Sequence, residues 1–217
     1  MSRLSSFSLQ PVTAEDIPTL VRIHDEAFEN DKLMHLMYGS PDQREDMIGF
    51  LRGLLTTSST ALFLKATDRK TGEIMGWSLW TVYLDQKTHE REAAATEERQ
   101  KTAPDTAGNP AAFLDFYRAV AARRRKWITG KCASLLEVLA VRPQAQDKGV
   151  GIALVKAGLE EASFHKIPAW LEASSAGHAM YRKCGFHDIG DPIDMDLSDY
   201  GAEGSVKTVC MQFGLQN

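Results

Sequence analysis

The chain has 217 residues, of which 43% are hydrophobic, and a formal net charge of −4 with a pI near 5.9. This length and hydrophobic content allow one domain with a real core, and the acidic balance argues against broad electrostatic binding to nucleic acid. Cys132, Cys184 and Cys210 are far apart and form no CxxC pair, so they indicate neither a disulfide framework nor a zinc site.

No segment approaches the length of apolar sequence that a membrane span needs, and the first residues lack the apolar run of a secretory signal. We therefore expect a cytoplasmic protein with no membrane partner.

The first part of the chain predicts a strand, two helices and a hairpin. Thr13 is a helix cap followed by acidic residues and by apolar residues at helical spacing, and Gly72 supplies the flexible position of the hairpin turn. The predicted elements are strand 7–13, helix 13–30, a turn at 38–43, helix 44–57, and strands 60–68 and 73–84.

Residues 85–107 are charged, rich in alanine and short of large apolar residues, which predicts an insertion rather than core. A helix is predicted over 110–130, with Phe113, Phe116 and Tyr117 on one side. The basic run 123–126 at its end favours a solvated helix terminus over a binding patch.

The rest of the chain alternates strands and helices. The predicted elements are strand 134–141, helix 149–164, strand 169–174, helix 177–184, and strands 186–194 and 206–213. Hairpins pair antiparallel and a β-α-β crossover pairs parallel, so the pattern predicts an α+β protein with a mixed sheet.

The turn "QDKGVG", Gln146 to Gly151, follows an apolar strand and opens a helix. It is neither a dinucleotide GxGxxG motif nor a GxxxxGK[ST] phosphate loop. Two interpretations remain open: a tight turn with close helix packing, or a cradle of backbone amides that binds an anion such as pyrophosphate. Lys148 would add positive charge near such a cradle, which favours the second interpretation.

The wider segment resembles the acetyl-coenzyme A site of the GNAT superfamily of N-acetyltransferases. A hydrophobic strand ends in V-x-P at Val141 and Pro143, the turn 146–151 matches [QR]-x-x-G-x-[GA], and residues 181–186 match Y-x-x-x-G-F. The resemblance implies the GNAT fold, a mixed sheet of about seven strands with splayed central parallel strands, flanked by helices. It extends to a single domain over 1–217 with an insertion at about 85–130, similar in placement to that of puromycin-type acetyltransferases and many fungal GNAT proteins.

The resemblance also implies that acetyl-CoA is the cosubstrate, with its pantetheine arm along the apolar strand and its pyrophosphate on the turn. Ser174, where many relatives have asparagine, is expected to bond the arm through its hydroxyl. The residues expected to contact acetyl-CoA are Leu139, Ala140, Val141, Gln146, Asp147, Lys148, Gly149, Val150, Gly151 and Ser174.

Acetyl transfer to an amine needs a group that accepts the amine proton and one that protonates the leaving thiolate. Glu137 is the only charged residue in the strand 134–141, and alternation places it on the face of Leu139 and Val141, where apolar neighbours suit a base. The alternative is a carboxylate that opens to solvent or meets an arginine. Tyr181 stands where many GNAT enzymes use a tyrosine as the acid, against the alternative of a core tyrosine.

The acceptor is expected to be a small-molecule amine, with Phe28 and Trp80 as candidate lining residues and the helix of the insertion as a hypothetical lid. The six histidines show no metal-type spacing, so no metal is predicted. The predicted function is direct acetyl transfer in a ternary complex, by a monomer or homodimer. The alternatives are a protein N-terminal or lysine acetyltransferase and a non-catalytic CoA-binding regulatory module.

Overall fold

The computed structural model describes residues 6–38 and 43–214, so most of the predicted turn at 38–43 lies outside the described residues. The helices are α1 Ile17–Ala27, α2 Lys32–Met37, α3 Gln43–Thr57, α4 Gln86–Arg99, α5 Pro110–Trp127, α6 Val150–Phe164 and α7 Ser175–Lys183. The strands are β1 Phe7–Pro11, β2 Ala61–Asp68, β3 Ile74–Tyr83, β4 Ala133–Val141, β5 Ala169–Ser174, β6 His187–Asp188, β7 Ile193–Asp196 and β8 Ser205–Phe213.

The strands form one mixed sheet in the order β1-β2-β3-β4-β5-β8-β6, with β7 also paired to β8. Its central pair, β4 and β5, is parallel and is connected through α6. The other strand pairs among the described residues, from β1–β2 to β7–β8, are antiparallel. The predicted α+β class with a mixed sheet is therefore confirmed.

Helices cover both faces of the sheet. On one face Trp77 of β3 packs beneath α1 and α3, and its indole Nε1 donates to the carbonyl oxygen of Leu20 at 2.9 Å. On the other face Trp80 of β3 packs beneath α6, where Gly158 leaves room for the indole. A Cβ at Gly158 would lie 2.1 Å from that ring, so this close helix packing depends on glycine.

The predicted insertion contains a helix, α4, which its charged, alanine-rich sequence did not predict. Its one buried residue is His89, whose ring stacks on Tyr83 with centroids 4.1 Å apart. Its Nδ1 lies 2.8 Å from the carbonyl oxygen of Lys131. A helix with few large apolar residues thus buries one ring against the sheet, and it is also held by the Thr60 hydroxyl, which donates to Glu92 at 3.1 Å, and by an ion pair between Glu97 and Arg125.

The predicted strand 186–194 is divided into β6 and β7. Gly190 adopts φ +64° between them, a conformation that glycine takes without strain, and Pro192 follows. The break gives the sheet eight strands among the described residues instead of seven. In the same described ranges, no helix is both long and apolar enough to cross a bilayer.

Candidate functional site

The central parallel strands separate soon after they begin. Their pairing consists of Ser134 with Ala169 and Leu135 with Trp170, after which β4 and β5 diverge. Both strands are several residues longer than this paired part, so their carboxyl-terminal halves border a gap. The gap opens into a cleft of about 2060 Å³ that is lined by residues of both strands, α2, α5, α6 and α7.

A β-bulge at Glu137 sets the direction of the side chains along β4. Leu79 pairs with Val138 and Trp80 with Leu136, which leaves Glu137 as the extra residue. The predicted placement of Glu137 on the face of Leu139 and Val141 is wrong because of this bulge. Leu139 and Val141 pack toward α6, whereas Glu137 lies on the opposite face.

The surroundings of Glu137 are polar rather than apolar, which also corrects the expected environment. Arg124 of α5 donates to the carboxylate from Nη1 at 3.2 Å and from Nη2 at 3.1 Å. The Glu137 side chain keeps 28% of its surface exposed and lines the cleft. The arginine-paired alternative of the sequence analysis describes this geometry.

Arg124 also binds Glu172 of β5, so one guanidinium connects the two separating strands. Its Nε donates to Oε1 at 2.9 Å and its Nη2 donates to Oε2 at 2.7 Å, while the Trp170 indole donates to Oε1 at 2.7 Å. Burial acts to lower the pKa of Arg124, but the two carboxylates outweigh it and raise that pKa well above its usual value. The three side chains form a cluster with a net charge of −1.

The two carboxylates differ in what they can still bind. Glu172 accepts three hydrogen bonds and its side chain is 9% exposed. Glu137 accepts two, both from Arg124, and is more exposed. Because each carboxylate offers about four acceptor positions, Glu137 is the one with free positions facing the cleft.

The turn between β4 and α6 presents unbonded backbone amides. Asp147 and Gly149 have φ values of +57° and +80°, and Gly149 is the residue before the first turn of α6. Among the described residues, the amides of 147–152 donate no hydrogen bond of standard length and angle, and the first that does is Ala153, to the Gly149 oxygen at 3.0 Å. Consecutive free amides at a helix N-terminus favour an anion.

Gln146 does not belong to this group of amides, which corrects part of the prediction. Its backbone N–H donates to the Arg142 oxygen at 3.1 Å, and its side-chain amide donates to the Val141 oxygen at 3.2 Å. Gln146 therefore holds the turn against the end of β4. Lys148 is exposed without lining the cleft, and the side chain of Val150 is buried, so at position 150 only the backbone is available.

Along β4, every second residue directs its backbone N–H and C=O groups toward the gap instead of toward β3. The Arg142 amide bonds the Met75 oxygen at 2.9 Å, so by antiparallel alternation Ala140 also bonds its partner on β3, Trp77. Leu139 and Val141 then direct their backbone groups toward the gap. The predicted contact at Ala140 is thus corrected, and the Val141 oxygen is already shared with Gln146.

Tyr181 lines the cleft from α7, where Gly177 lies one turn before it. A Cβ at Gly177 would lie 2.8 Å from Cε2 of the tyrosine ring. Burial, and secondarily Cys184, raise the pKa of Tyr181, so the phenol stays protonated. Ser174 is the N-cap of the same helix, and its hydroxyl oxygen accepts from the Gly177 amide at 3.4 Å.

The two residues expected to contact the acceptor have different positions. Phe28 lines the cleft at the end of α1, 4.6 Å from the His24 ring. Trp80 is fully buried under α6 and does not reach the cleft, so that prediction is wrong. Its indole N–H has no partner among the described residues.

Sequence reasoning missed Arg124, Glu172 and the tyrosine pair Tyr38 and Tyr117. In the sequence Arg124 belongs to a basic run that predicts a solvated helix terminus, and nothing local distinguishes it from Arg123 or Arg125. The signal for Glu172 was available, since it is the one charged residue of the strand "AWLEAS". Among the described residues, no group of three or more potential ligands could hold a metal ion.

Comparisons with known proteins agree on the domain type. Residues 106–188 match the family model described as an acetyltransferase (GNAT) domain. A Corynebacterium glutamicum structure, titled histone acetyltransferase HPA2 and related acetyltransferase, has 22% identity and a TM-score of 0.60, with 98% of each chain covered. No curated protein matches the sequence significantly.

Two further solved structures carry names with different acceptors. A mosquito arylalkylamine N-acetyltransferase-like protein has 16% identity and a TM-score of 0.58, covering 95% of this chain and 99% of its own. A ribosomal-protein-alanine N-acetyltransferase from Brucella melitensis has 16% identity and a TM-score of 0.56, covering 96% and 99%. At these sequence identities the similarity to solved structures shows the fold alone. The acetyl acceptor of this chain must be inferred from the cleft.

Proposed function

We propose that this chain, whose residues 106–188 match a GNAT acetyltransferase domain, transfers an acetyl group from acetyl-CoA directly to the amine of a small molecule. The observation that carries the proposal is one cleft that contains a row of free amides, the open edge of β4, a carboxylate and a neutral phenol. Acetyl-CoA supplies the acetyl group as a thioester.

The residues of the turn fit the diphosphate of the cosubstrate. The amides of 147–152 would donate to phosphate oxygens, and Gly149, with no atom within 4 Å of its potential Cβ, leaves the approach open. Leu139 and Val141 would hydrogen-bond the amide groups of the pantetheine arm along the edge of β4. A pocket built only to bind CoA would not need Glu137 and Tyr181 facing the same space.

Glu137 would accept the proton of the incoming ammonium group, because it is the carboxylate with free acceptor positions. The amine must lose this proton before its lone pair can form the new nitrogen–carbon bond. Arg124 keeps the carboxylate in one orientation, since two parallel hydrogen bonds fix both its distance and its plane.

Tyr181 would donate its phenolic proton toward the sulfur as the carbon–sulfur bond breaks, and regain a proton from solvent. Its raised pKa keeps the donor form populated at any ordinary pH. The same shift makes full proton transfer harder, so a hydrogen bond to the developing thiolate is the larger part of its contribution.

The proposal is tested by two measurements on the full chain. Calorimetry should detect binding of acetyl-CoA, and a thiol-release assay with a panel of amines should detect turnover that depends on both substrates. Absence of acetyl-CoA binding by correctly folded protein would overturn the proposal. Binding without turnover of any amine or peptide would favour the regulatory module, and turnover of peptides alone would favour the protein acetyltransferase.

A further inference from the structure

Four aromatic side chains form a continuous surface on one side of the cleft, which we call the aromatic wall: Tyr38, Phe113, Phe116 and Tyr117. The Phe113 ring lies 5.8 Å from Tyr38 and 4.7 Å from Tyr117, and Phe116 lies 5.3 Å from Tyr117, between ring centroids. All four line the cleft. The wall joins the short helix α2 to helix α5.

The polar ends of the wall are bonded to each other. The hydroxyl groups of Tyr38 and Tyr117 form a hydrogen bond with one another. Burial raises the pKa of both tyrosines, so neither is ionised at ordinary pH. The wall therefore offers the cleft uncharged ring carbon, and its two hydroxyl groups are bonded to each other.

The charged cluster and the wall share helix α5. Tyr117 and Arg124 are seven residues apart, which is about two turns and ~10 Å along the axis, on the same side of the helix. Arg124 holds Glu137 and Glu172 at the point where the strands separate, and both carboxylates line the cleft. The part of the cleft at Glu137 and Glu172 is thus negatively charged, and the adjoining aromatic wall is apolar.

We infer that the acceptor is a monoamine, a primary amine carried on a single aromatic or aliphatic body and without a second charged group. This rests on the proposed function and names the acceptor class for the same site. Its ammonium end is attracted by the net charge of −1 and meets Glu137, and its body packs against the aromatic wall.

The wall disfavours the other amine classes. An amino sugar brings hydroxyl groups that would lose water without gaining partners against ring carbon. A polyamine brings further cations that the wall cannot pair. An amino acid brings a carboxylate next to Glu137 and Glu172, where like charges repel.

The inference is tested with saturating acetyl-CoA and five amines assayed on the unmodified protein: phenethylamine, ethylamine, phenylalanine, glucosamine and spermidine. Phenethylamine and phenylalanine differ only by a carboxylate, and phenethylamine and ethylamine only by the ring. We expect kcat/KM for phenethylamine to exceed each of the others by at least ~10-fold, because burying a ring and avoiding unpaired polar groups each discriminate on that scale.

A matched pair of variants locates the discrimination. Phe116→Leu keeps an apolar side chain but removes a ring of the wall, whereas Phe164→Leu removes a ring that is 78% exposed and does not line the cleft. Phe116→Leu should lower the ratio of kcat/KM for phenethylamine to kcat/KM for ethylamine several-fold, with acetyl-CoA affinity unchanged. Phe164→Leu should leave this ratio unchanged.

The outcomes separate this inference from the proposed function. Preference for glucosamine, spermidine or phenylalanine would overturn the inference and leave acetyl transfer intact. An unchanged ratio in a folded Phe116→Leu protein would also overturn it. Failure to bind acetyl-CoA would remove the proposed function and the inference together.

Discussion

Glu137 and Glu172 lie on neighbouring parallel strands, each two residues beyond the last paired position, and both carboxylates bind the guanidinium of Arg124. Two carboxylates brought together in this way would repel each other without a cation between them. Arg124 thus allows the strands to carry acidic groups at the opening of the gap.

Replacing Arg124 should destabilise the fold. Arg124→Leu leaves two carboxylates without a counter-ion, and one of them is mostly buried. We expect the free energy of unfolding to fall by about 3 kcal/mol. This is the lower end of the range for broken buried ion pairs, because the site is partly exposed. Arg125→Leu is the matched control on the same helix. Arg125 is 52% exposed and pairs with Glu97 at the surface, so its loss should cost less than ~1 kcal/mol. Urea unfolding measures both, and equal losses would contradict the role given to Arg124.

The two carboxylates should contribute unequally to turnover. Glu137→Gln removes the proposed proton acceptor, and we expect kcat to fall by about 10²-fold or more, in the range observed for general bases. Glu172→Gln keeps the shape of a side chain that already accepts three hydrogen bonds, so its main effect should be on stability. Steady-state kinetics at fixed pH distinguish them, with acetyl-CoA affinity as the control for folding. A larger loss of kcat in Glu172→Gln would reverse the assignment.

The bulge at Glu137 shows where the sequence stops being informative. The apolar run 134–141, the glycines at 149 and 151 and the Y-x-x-x-G-F ending predict the strand, the turn and the helix, because each depends on local preferences. The pairing of Glu137 with Arg124 depends on an extra residue in β4 and on the packing of α5, which joins the sheet only through the tertiary fold. The burial of Trp80 under Gly158 likewise depends on how α6 packs on the sheet, which local sequence preferences do not determine.

The tyrosine pair of the aromatic wall should make stability fall at high pH. Burial raises the pKa of Tyr38 and Tyr117 in the folded protein, whereas both ionise near pH 10 in the unfolded chain. Above about pH 10 the unfolded chain therefore releases protons that the folded protein retains, and the free energy of unfolding decreases as pH rises. The double variant Tyr38→Phe/Tyr117→Phe removes both groups without leaving one hydroxyl unpaired. Its unfolding free energy should decrease less between pH 9 and pH 11 than that of the unmodified protein, and an identical decrease would contradict the argument.

Gly177 should control the position of the Tyr181 ring. Gly177→Ala adds a Cβ 2.8 Å from Cε2 of that ring, so the ring and its hydroxyl must move. We expect kcat to fall by about 10-fold, because a misplaced donor no longer reaches the leaving group, while the protein stays folded. Gly53→Ala in α3 is the control, since nothing lies within 4 Å of its potential Cβ. That change should stabilise the helix by about 0.5–1 kcal/mol and leave kcat unaltered. Full activity in Gly177→Ala would exclude a catalytic role for the Tyr181 hydroxyl at its present position.

Gly149 and Gly72 form a matched pair that separates backbone strain from binding. Both have positive φ, +80° and +75°, and a Cβ at either would meet no atom within 4 Å. Alanine at either position should therefore cost a similar ~1–2 kcal/mol, the penalty for a left-handed residue that carries a Cβ. Gly149 borders the cleft at the free amides, whereas Gly72 lies in the β2–β3 hairpin. Gly149→Ala should raise the Kd for acetyl-CoA by at least ~10-fold, because the added methyl group crowds the approach to the amides. Calorimetry on both variants, at a temperature where each is folded, checks this. If Gly72→Ala weakened acetyl-CoA binding as much as Gly149→Ala, the effect would come from stability, and the amides of 147–152 would lose their assignment as the diphosphate site.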